Sequence, residues 1–526
     1  MKMPADVVKM YKEIHGWVGI ISGLALFIAF YAGAITMFEG PVQQWASAPS
    51  QLAPAPSLQR TPELLTKVMD AHPEAAASYE VNLVIDAHHP ARLVWKSGDP
   101  EEIEHGGGTT HYASLRPDGS LQVETSGPSP VAQFIDDLHR NIGLPFDHEI
   151  TMPIMGAVSM LYVIALVSGL IVLLPSLVKD LFALRFGKNV KRMWLDLHNL
   201  LGVFSLPFHI VMALTALVFA FHDQLYMAQG VAFDSGGQRP RMVAAGPSPE
   251  PLAPAEMVAK LREEAPYFEP YTLSYAAMPG GRSVVRATGG DPDYPIRTPL
   301  YGVVTADPVN GKILSVDYMP GRQDGWSEAV TSFFALHYGS FGGGPIRWAY
   351  FLLGLSGAFI FYTGNLLWVE SRRKRERKAG AVEQTRATRI LAALTVGVPL
   401  GCIAGIALTL SAAKPLGHAA TTELHSAIYY AVFLMFTAWA LVRGAARSGP
   451  ELSCAAAFAL LTIPAASLLA TSDWPGSLSL WLVDGTAVAL AVLLVRSAGG
   501  AKRRARSGPR DSVWAAKGAS AIGESV

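Results

Sequence analysis

Cysteine is nearly missing from this chain: of 526 residues only Cys402 and Cys454 are cysteines, and both lie in apolar stretches. That excludes a disulfide framework and leaves no thiolate set for a zinc site or an iron–sulfur cluster. Net charge is missing too, with 42 Lys plus Arg against 42 Asp plus Glu, so no global field points to nucleic acid as a partner. Charged residues make up only 16% of the chain and hydrophobic ones 50%. Such a balance is too apolar for an ordinary soluble protein and too interrupted for a bare membrane bundle. No Gly-x-Gly-x-x-Gly follows a strand pattern, and neither a Walker sequence nor His-Glu-x-x-His occurs, which removes the common nucleotide and metalloprotease chemistries.

What the chain does have is apolar runs near spanning length, at roughly 15–38, 152–174, 197–221, 346–369, 389–411, 423–442, 452–471 and 478–495. Basic residues cluster after the second run (Lys179, Arg185, Lys188, Lys191, Arg192), after the fourth (Arg372 to Lys378), after the sixth (Arg443, Arg447) and at the end (Arg496, Lys502, Arg503, Arg504, Arg506). By the positive-inside rule both termini are then cytoplasmic, and the two long hydrophilic stretches face the periplasm of a bacterial inner membrane. The first run is longer than the apolar core of a signal peptide and reads as an uncleaved anchor, despite the small residues Ala46-Ser47-Ala48 beyond it.

The expected fold class is a polytopic α-helical membrane protein of about eight spans with two small α+β periplasmic domains. The first span lies within 1–38, an outer domain over 39–151, the second span at 152–174, a cytoplasmic loop at 175–196 and the third span at 197–221. A second outer domain over 222–345, the fourth span at 346–369, a basic loop at 370–388, four additional spans over 389–496 and a basic tail at 497–526 complete it.

The two outer stretches read as copies. The first has a helical pattern at Pro62–His72, strand patterns at Tyr79–Asp86 and Ala91–Lys96, and a hairpin over Tyr112–Glu124 turning at Pro117-Asp118-Gly119. The second repeats the order with Pro254–Glu264, Tyr271–Ala277, Ser283–Ala287 and a hairpin over Tyr301–Tyr318 turning at Asp307 to Gly311. Each implies a helix on an antiparallel sheet, buried on one face.

The membrane parts repeat as well, and histidine marks the repeat. His15-Gly-Trp-Val-Gly opens the first span and His198-Asn-Leu-Leu-Gly the third, while Leu138-His139 precedes the second and Leu336-His337 the fourth. Packing the halves about a twofold axis sets His15 against His198 near the inner face and His139 against His337 near the outer one. His209 is the alternative partner at the outer level; it lies eleven residues after His198, within about 20° of the same helical face and roughly 16 Å along the axis. In a chain without thiolates, imidazole is the remaining ligand for a redox metal, and imidazole on iron in an apolar site suggests haem. A single interfacial histidine is ordinarily just a hydrogen-bonded packing residue. Four at matching places in two repeats argue for axial ligands instead. Gly16, Gly19, Gly143, Gly202 and the run from Gly339 to Gly344 would leave room for a flat macrocycle.

Other residues carry less. His222 reads as interfacial, His418 and His425 as structural, and His72, His88, His89, His105 and His111 as solvated surface whose spacing fits no metal pattern. Arg116, Arg140 and Arg347 suit anionic groups at the outer face. Arg282, Arg286, Arg297 and Arg322 with Tyr294, Tyr301, Tyr318 and Trp326 make a surface that can hold a bulky chelate through charge and stacking. The cytoplasmic loops are too short for a flavin or nicotinamide domain, so the donor is a separate cytoplasmic reductase or membrane quinol.

The patterns His-x-Trp-x-Gly, Leu-His-Arg, Asp196-Leu-His-Asn-x-x-Gly and Leu-His-Tyr-Gly-x-Phe-Gly-Gly resemble those of the PepSY-associated transmembrane helix proteins, and Asp307 to Ile313 looks like the PepSY hairpin. Within that family the chain is similar to inner-membrane ferric-siderophore reductases, such as the FoxB-like ferrioxamine reductases. The resemblance covers about residues 10–375 and leaves out the last four spans. It implies two b-type haems, with His15, His139, His198 and His337 as iron ligands and His209 provisional, and reduction of a ferric siderophore in the periplasm to release iron. The expected function is therefore an inner-membrane dihaem b-type oxidoreductase passing electrons from the cytoplasmic side to that acceptor. The alternative is a PepSY-based peptide- or protease-binding or sensing membrane protein without redox activity.

Overall fold

The third apolar stretch is bent. Two helices, Val190–Phe204 and Leu206–Ala220, meet at Ser205 at an angle of 69°. Pro207 in the first turn of the second helix is the cause: it has no N–H, and its ring would strike the carbonyl four residues back. Ser205 closes one helix and opens the next, its N–H and Oγ both donating to Leu201 O (2.9 and 2.6 Å) while its carbonyl accepts from His209 N (2.9 Å). The single straight span expected at 197–221 is thus replaced by a broken one, and His198 and His209 do not share one helical stripe.

The computed structural model describes residues 4–86, 89–99, 103, 108–125, 127–177, 190–222, 224, 225, 227, 250–278, 282–294, 301–378, 384–470, 478–509 and 511–516. In chain order the elements are α1 (Ala5–Thr36), α2 (Glu39–Ala46), α3 (Thr61–Ala71), β1 (Ser78–Asn82), β2 (Leu93–Ser97), β3 (Thr109–Leu115), β4 (Leu121–Glu124), α4 (Val131–Arg140) and α5 (His148–Leu173). The bent pair follows as α6 (Val190–Phe204) and α7 (Leu206–Ala220), then α8 (Pro254–Glu264), β5 (Glu269–Met278), β6 (Arg282–Gly290), β7 (Gly302–Ala306) and β8 (Ile313–Tyr318). Last come α9 (Gly325–Tyr338), α10 (Gly343–Lys378), α11 (Arg386–Leu416), α12 (Thr422–Arg443), α13 (Ala445–Ala470) and α14 (Leu478–Ser507). They form two compact units, a helical one (Met1–Ala46, Ser129–Asp223, Trp348–Val526) and a sheet-bearing one (Ser47–Pro128, Gln224–Arg347).

In the sheet unit each hydrophilic stretch supplies one helix and four strands in the same order, as the sequence implies. The copies do not stay apart. Their strands form one antiparallel sheet in the order β4-β3-β2-β1-β5-β6-β7-β8. The junction pairs β1 with β5, Tyr79 opposite Tyr275 and Val81 opposite Leu273, and the two tyrosine rings stack at 4.7 Å and 11°. Alone, each four-stranded sheet would present its first strand as an open edge; pairing the two covers both at once. Leu64 and Val68 of α3 and Met257 and Leu261 of α8 are buried on one face against Val81, Leu93, Leu273, Val285 and Val304. Alternation along β7 shows why, since Gly302, Val304 and Ala306 point inward while Val303 and Thr305 are half-buried.

In the helical unit seven helices are long and apolar enough to cross a membrane, and eight segments are if the bent pair counts as one span. The chain is therefore a multi-pass membrane protein by length and composition. Helix α11 is packed closely because glycines recur along one face: a Cβ on Gly397 would lie 2.8 Å from Thr437 Cα, one on Gly401 3.0 Å from Phe433 O, and one on Gly405 2.8 Å from the Tyr429 ring. Small residues at four-residue steps let helices approach where no hydrophobic driving force separates lipid from side chain. Filling that seam is costly. Gly405→Leu is expected to destabilise the protein by about 1–3 kcal/mol, seen as a lower thermal midpoint in detergent, whereas Gly449→Ala, with open space around it, should leave the midpoint unchanged.

Candidate functional site

Four histidines of the helical unit share one hydrogen-bonding habit. His15 Nδ1 lies 2.9 Å from Ala165 O and His139 Nδ1 2.8 Å from Ala29 O. A carbonyl only accepts, so each Nδ1 carries the proton and each Nε2 presents its lone pair. His198 Nδ1 meets Thr363 Oγ1 at 3.0 Å, and that hydroxyl donates to Ile360 O (2.9 Å), so it accepts from the imidazole. His209 Nδ1 meets Tyr162 Oη at 2.5 Å, and the same hydroxyl lies 3.3 Å from His209 O; a phenol that donates to this carbonyl accepts from the ring. His209 is 2% exposed, and its Nε2 has no hydrogen-bond partner. Holding Nδ1–H on an acceptor is how proteins orient a metal-ligating histidine and keep the other nitrogen basic.

Glycine makes these approaches possible. A Cβ on Gly33 would lie 2.7 Å from His139 Nδ1, one on Gly169 2.9 Å from His15 Cε1, one on Gly357 3.0 Å from His209 Cε1 and one on Gly364 3.6 Å from His198 Cε1. Two follow one geometry. Ala29 and Gly33, and Ala165 and Gly169, are each four residues apart, so the accepting carbonyl points along its helix toward a residue without a side chain. These are not the glycines expected from the sequence. Gly19 and Gly202, each one turn after its histidine, have open space where a Cβ would stand, whereas Gly143 packs on Ile28.

The His15 and His198 rings are neighbours in an edge-on arrangement, with centroids 6.2 Å apart and planes at 71°. Two imidazoles bound to opposite sides of one metal ion, each nitrogen about 2.0–2.1 Å from it, put their centroids about 6 Å apart. His139 stands on α1 at Ala29 and Gly33, and His209 packs on Phe30 of the same helix at 5.5 Å. His337 lies on α9 in the sheet unit, half-buried, with its ring edge-on to Tyr338 at 5.7 Å. His222, at the exposed end of α7, bonds its own turn at Phe219 O. Tyr162 and Thr363 carry no mark in the sequence, because a lone hydroxyl within an apolar run has no spacing that sets it apart.

Several expected surface residues are engaged locally. Arg140 pairs with Asp136 (2.8 Å) and Asp137 (2.6 Å) of its own helix, and Arg116 donates to Leu121 O. Tyr294, Tyr301, Tyr318 and Trp326 are exposed; Arg297, His88, His105 and the side chain of Arg282 lie outside the described residues. Among the described residues no three His, Cys, Asp or Glu side chains form a metal-holding group. His111 instead stacks on Trp95 (4.9 Å, 10°), bonds Ser97 Oγ (2.7 Å) and lies 6.0 Å from His72.

The family model for the PepSY-associated TM region matches residues 12–371, which takes in α1 through α10 and all four imidazole anchors. The chain belongs to the PepSY-associated transmembrane family. No curated protein matches it. The family region ends within α10, so α11 to α14 are additions to the PepSY-associated part.

Two expectations follow from this geometry. Gly33→Val and Gly169→Val should expel the imidazole ring from its carbonyl, read as loss of the slowly exchanging Nδ1 proton of His139 or His15 by nuclear magnetic resonance. In the sheet, burial and then the neighbouring His72 hold His111 below its ordinary value of 6.5. The folded state therefore binds fewer protons than the unfolded chain at pH below 6.5, and stability is lost as pH falls through that value and regained above it. Hydrogen-exchange protection of β2 and β3 should decline accordingly, and His111→Gln should flatten the decline.

Proposed function

We propose that this PepSY-associated protein is an inner-membrane dihaem b-type oxidoreductase that passes electrons to a ferric siderophore in the periplasm, reducing Fe(III) so that iron is released. The observation that carries the reading is the anchoring of four membrane imidazoles by Nδ1 to a carbonyl or hydroxyl of another helix, with the His15 and His198 ring centroids at the separation that two ligands of one metal ion take. His15 and His198 hold one haem in this reading, and His139 with His209 the other. His209 is preferred to His337 because its Nε2 is buried without a partner. A haem with two imidazole ligands has no open position and exchanges electrons without binding oxygen.

The protein's own contribution is orientation and insulation. Ala165, Ala29, Thr363 and Tyr162 fix the ring tautomers, and the glycines bring the rings against the helix backbone. Phe30, Phe208 and Phe361 surround His209 and keep water from it. The distribution of basic residues supports cytoplasmic termini and a periplasmic sheet unit. The exposed tyrosines and Trp326 of that unit support a bulky, partly aromatic acceptor. The donor is a cytoplasmic reductase or membrane quinol.

Protein purified after expression with ample haem should show a b-type Soret band, and anaerobic addition of a ferric siderophore to the reduced protein should reoxidise it. His15→Ala and His198→Ala should each remove about half of the bound haem, and His209→Ala the other half. Colourless wild-type protein would refute the reading. Tyr162→Phe should weaken haem retention by about 10–100-fold, the usual cost of losing the group that orients a ligating histidine, measured by haem transfer to apomyoglobin.

A further inference from the structure

The helices beyond the family region carry a second cluster of buried polar atoms that the proposed haem ligation does not use. On α12, His425 is 0% exposed and neither ring nitrogen has a hydrogen-bond partner. One turn on, the hydroxyl of Tyr429, also 0% exposed, has only the Cys402 thiol for a polar neighbour, a weak hydrogen-bonding group. The seam that sets Gly401 on Phe433 and Gly405 on Tyr429 runs in four-residue steps, so the same register carried one step further pairs Thr409 of α11 with His425 of α12. Thr409 Oγ1 is likewise buried without a partner. A buried polar group left unsatisfied costs stability, so several on neighbouring helix faces mark a site for a hydrogen-bonding guest.

The surroundings indicate which guest. Phe134 of α4 covers His425 at 6.3 Å and Tyr429 at 5.8 Å, and Tyr429 stacks on Phe433 at 5.7 Å, so the polar atoms are set among aromatic rings. A Cβ on Gly143 would lie 3.6 Å from Tyr429 Oη, which places the cluster against the turn that leaves α4 just after His139. In that turn Ile142 has φ of 49°, a left-handed conformation that a β-branched residue adopts only under strain. All of this lies among helices of spanning length, and the chain has no nucleotide or flavin fingerprint.

We infer that His425, Tyr429 and Thr409 bind the headgroup of a membrane hydroquinone, which is the electron donor. This rests on the proposed redox reading and deepens it. A hydroquinone carries two hydroxyls that both donate and accept, on an aromatic ring that suits Phe134 and Phe433. Its oxidation to the quinone releases two electrons and two protons. His425 takes the first proton on its free ring nitrogen. The second leaves to water past Thr422 and Glu423, exposed one turn away at the start of α12. The two electrons would go to the haem irons that the two histidine pairs would hold, which would match a two-electron donor to an acceptor that takes electrons singly.

The test uses the purified full-length protein, anaerobically, with duroquinol as donor and decyl-ubiquinone as binding probe. Duroquinol should reduce the wild-type haem, and His425→Phe and Thr409→Val should each slow that reduction at least tenfold while haem content and reduction by dithionite stay as in wild type. Decyl-ubiquinone should raise the thermal midpoint of wild type and not of His425→Phe. Thr409→Val is the deciding variant. If nothing but packing or an ordered water occupies the cluster, removing an unpartnered hydroxyl leaves the rate unchanged and raises the midpoint, and that outcome overturns the inference. So does wild-type protein that neither accepts electrons from duroquinol nor binds decyl-ubiquinone. Wild-type protein without haem would sink the redox reading instead, and the binding assay would still decide this site.

Discussion

The membrane part of this protein depends on a single kind of contact, an imidazole N–H reaching a main-chain carbonyl or a hydroxyl across a helix interface. A carbonyl inside a helix is already committed to the N–H four residues on, and side chains normally fence it off. Where residue i+4 is glycine the fence is down, and a ring from another helix can lie flat against the backbone. Gly33 and Gly169 do this for His139 and His15, whereas His198 reaches the Thr363 hydroxyl. The consequence is chemical as well as geometric. With Nδ1–H committed to a carbonyl, the tautomer is set and Nε2 carries the ring's lone pair. His209 reaches the same state through Tyr162, at the foot of a helix that Pro207 has turned by 69°.

Duplication gives the sheet unit its form. Each half has a helix that covers one face of four strands and an open first strand, and the two open strands satisfy each other at Tyr79 and Tyr275. One continuous sheet with two helices on a shared face buries more apolar surface than two separate halves. His15 and His198 occupy matching places in the two repeats and meet; His139 and His337 also occupy matching places, one in the helical unit and the other in the sheet-bearing one.

The four helices past the family region read differently once His425 is seen to be buried. In the sequence it is one of two histidines seven residues apart near the start of a span, for which a structural role is the simpler reading. A structural histidine, however, has a partner. His425, Thr409 and Tyr429 come from two helices, and the four-residue register of the α11 glycine seam is what pairs the helix faces that carry them.

Much of the architecture is legible in the order of residues alone. Apolar runs of spanning length, the order helix then four strands in both hydrophilic stretches, the turns at Asp118-Gly119 and Asp307 to Gly311, and the five candidate histidines all follow from residue type and spacing. Those features are local: backbone hydrogen bonds must be met within a span, and strand alternation and turn residues act over a few positions. The sequence by itself determined which segments enter the membrane and which residues are able to ligate. Only the tertiary structure decided which histidines meet, which glycines admit them, that Tyr162 and Thr363 set their tautomers, and that two half-sheets become one. These depend on contacts between residues far apart in the chain, and no spacing along a single helix encodes which neighbour will stand across the interface.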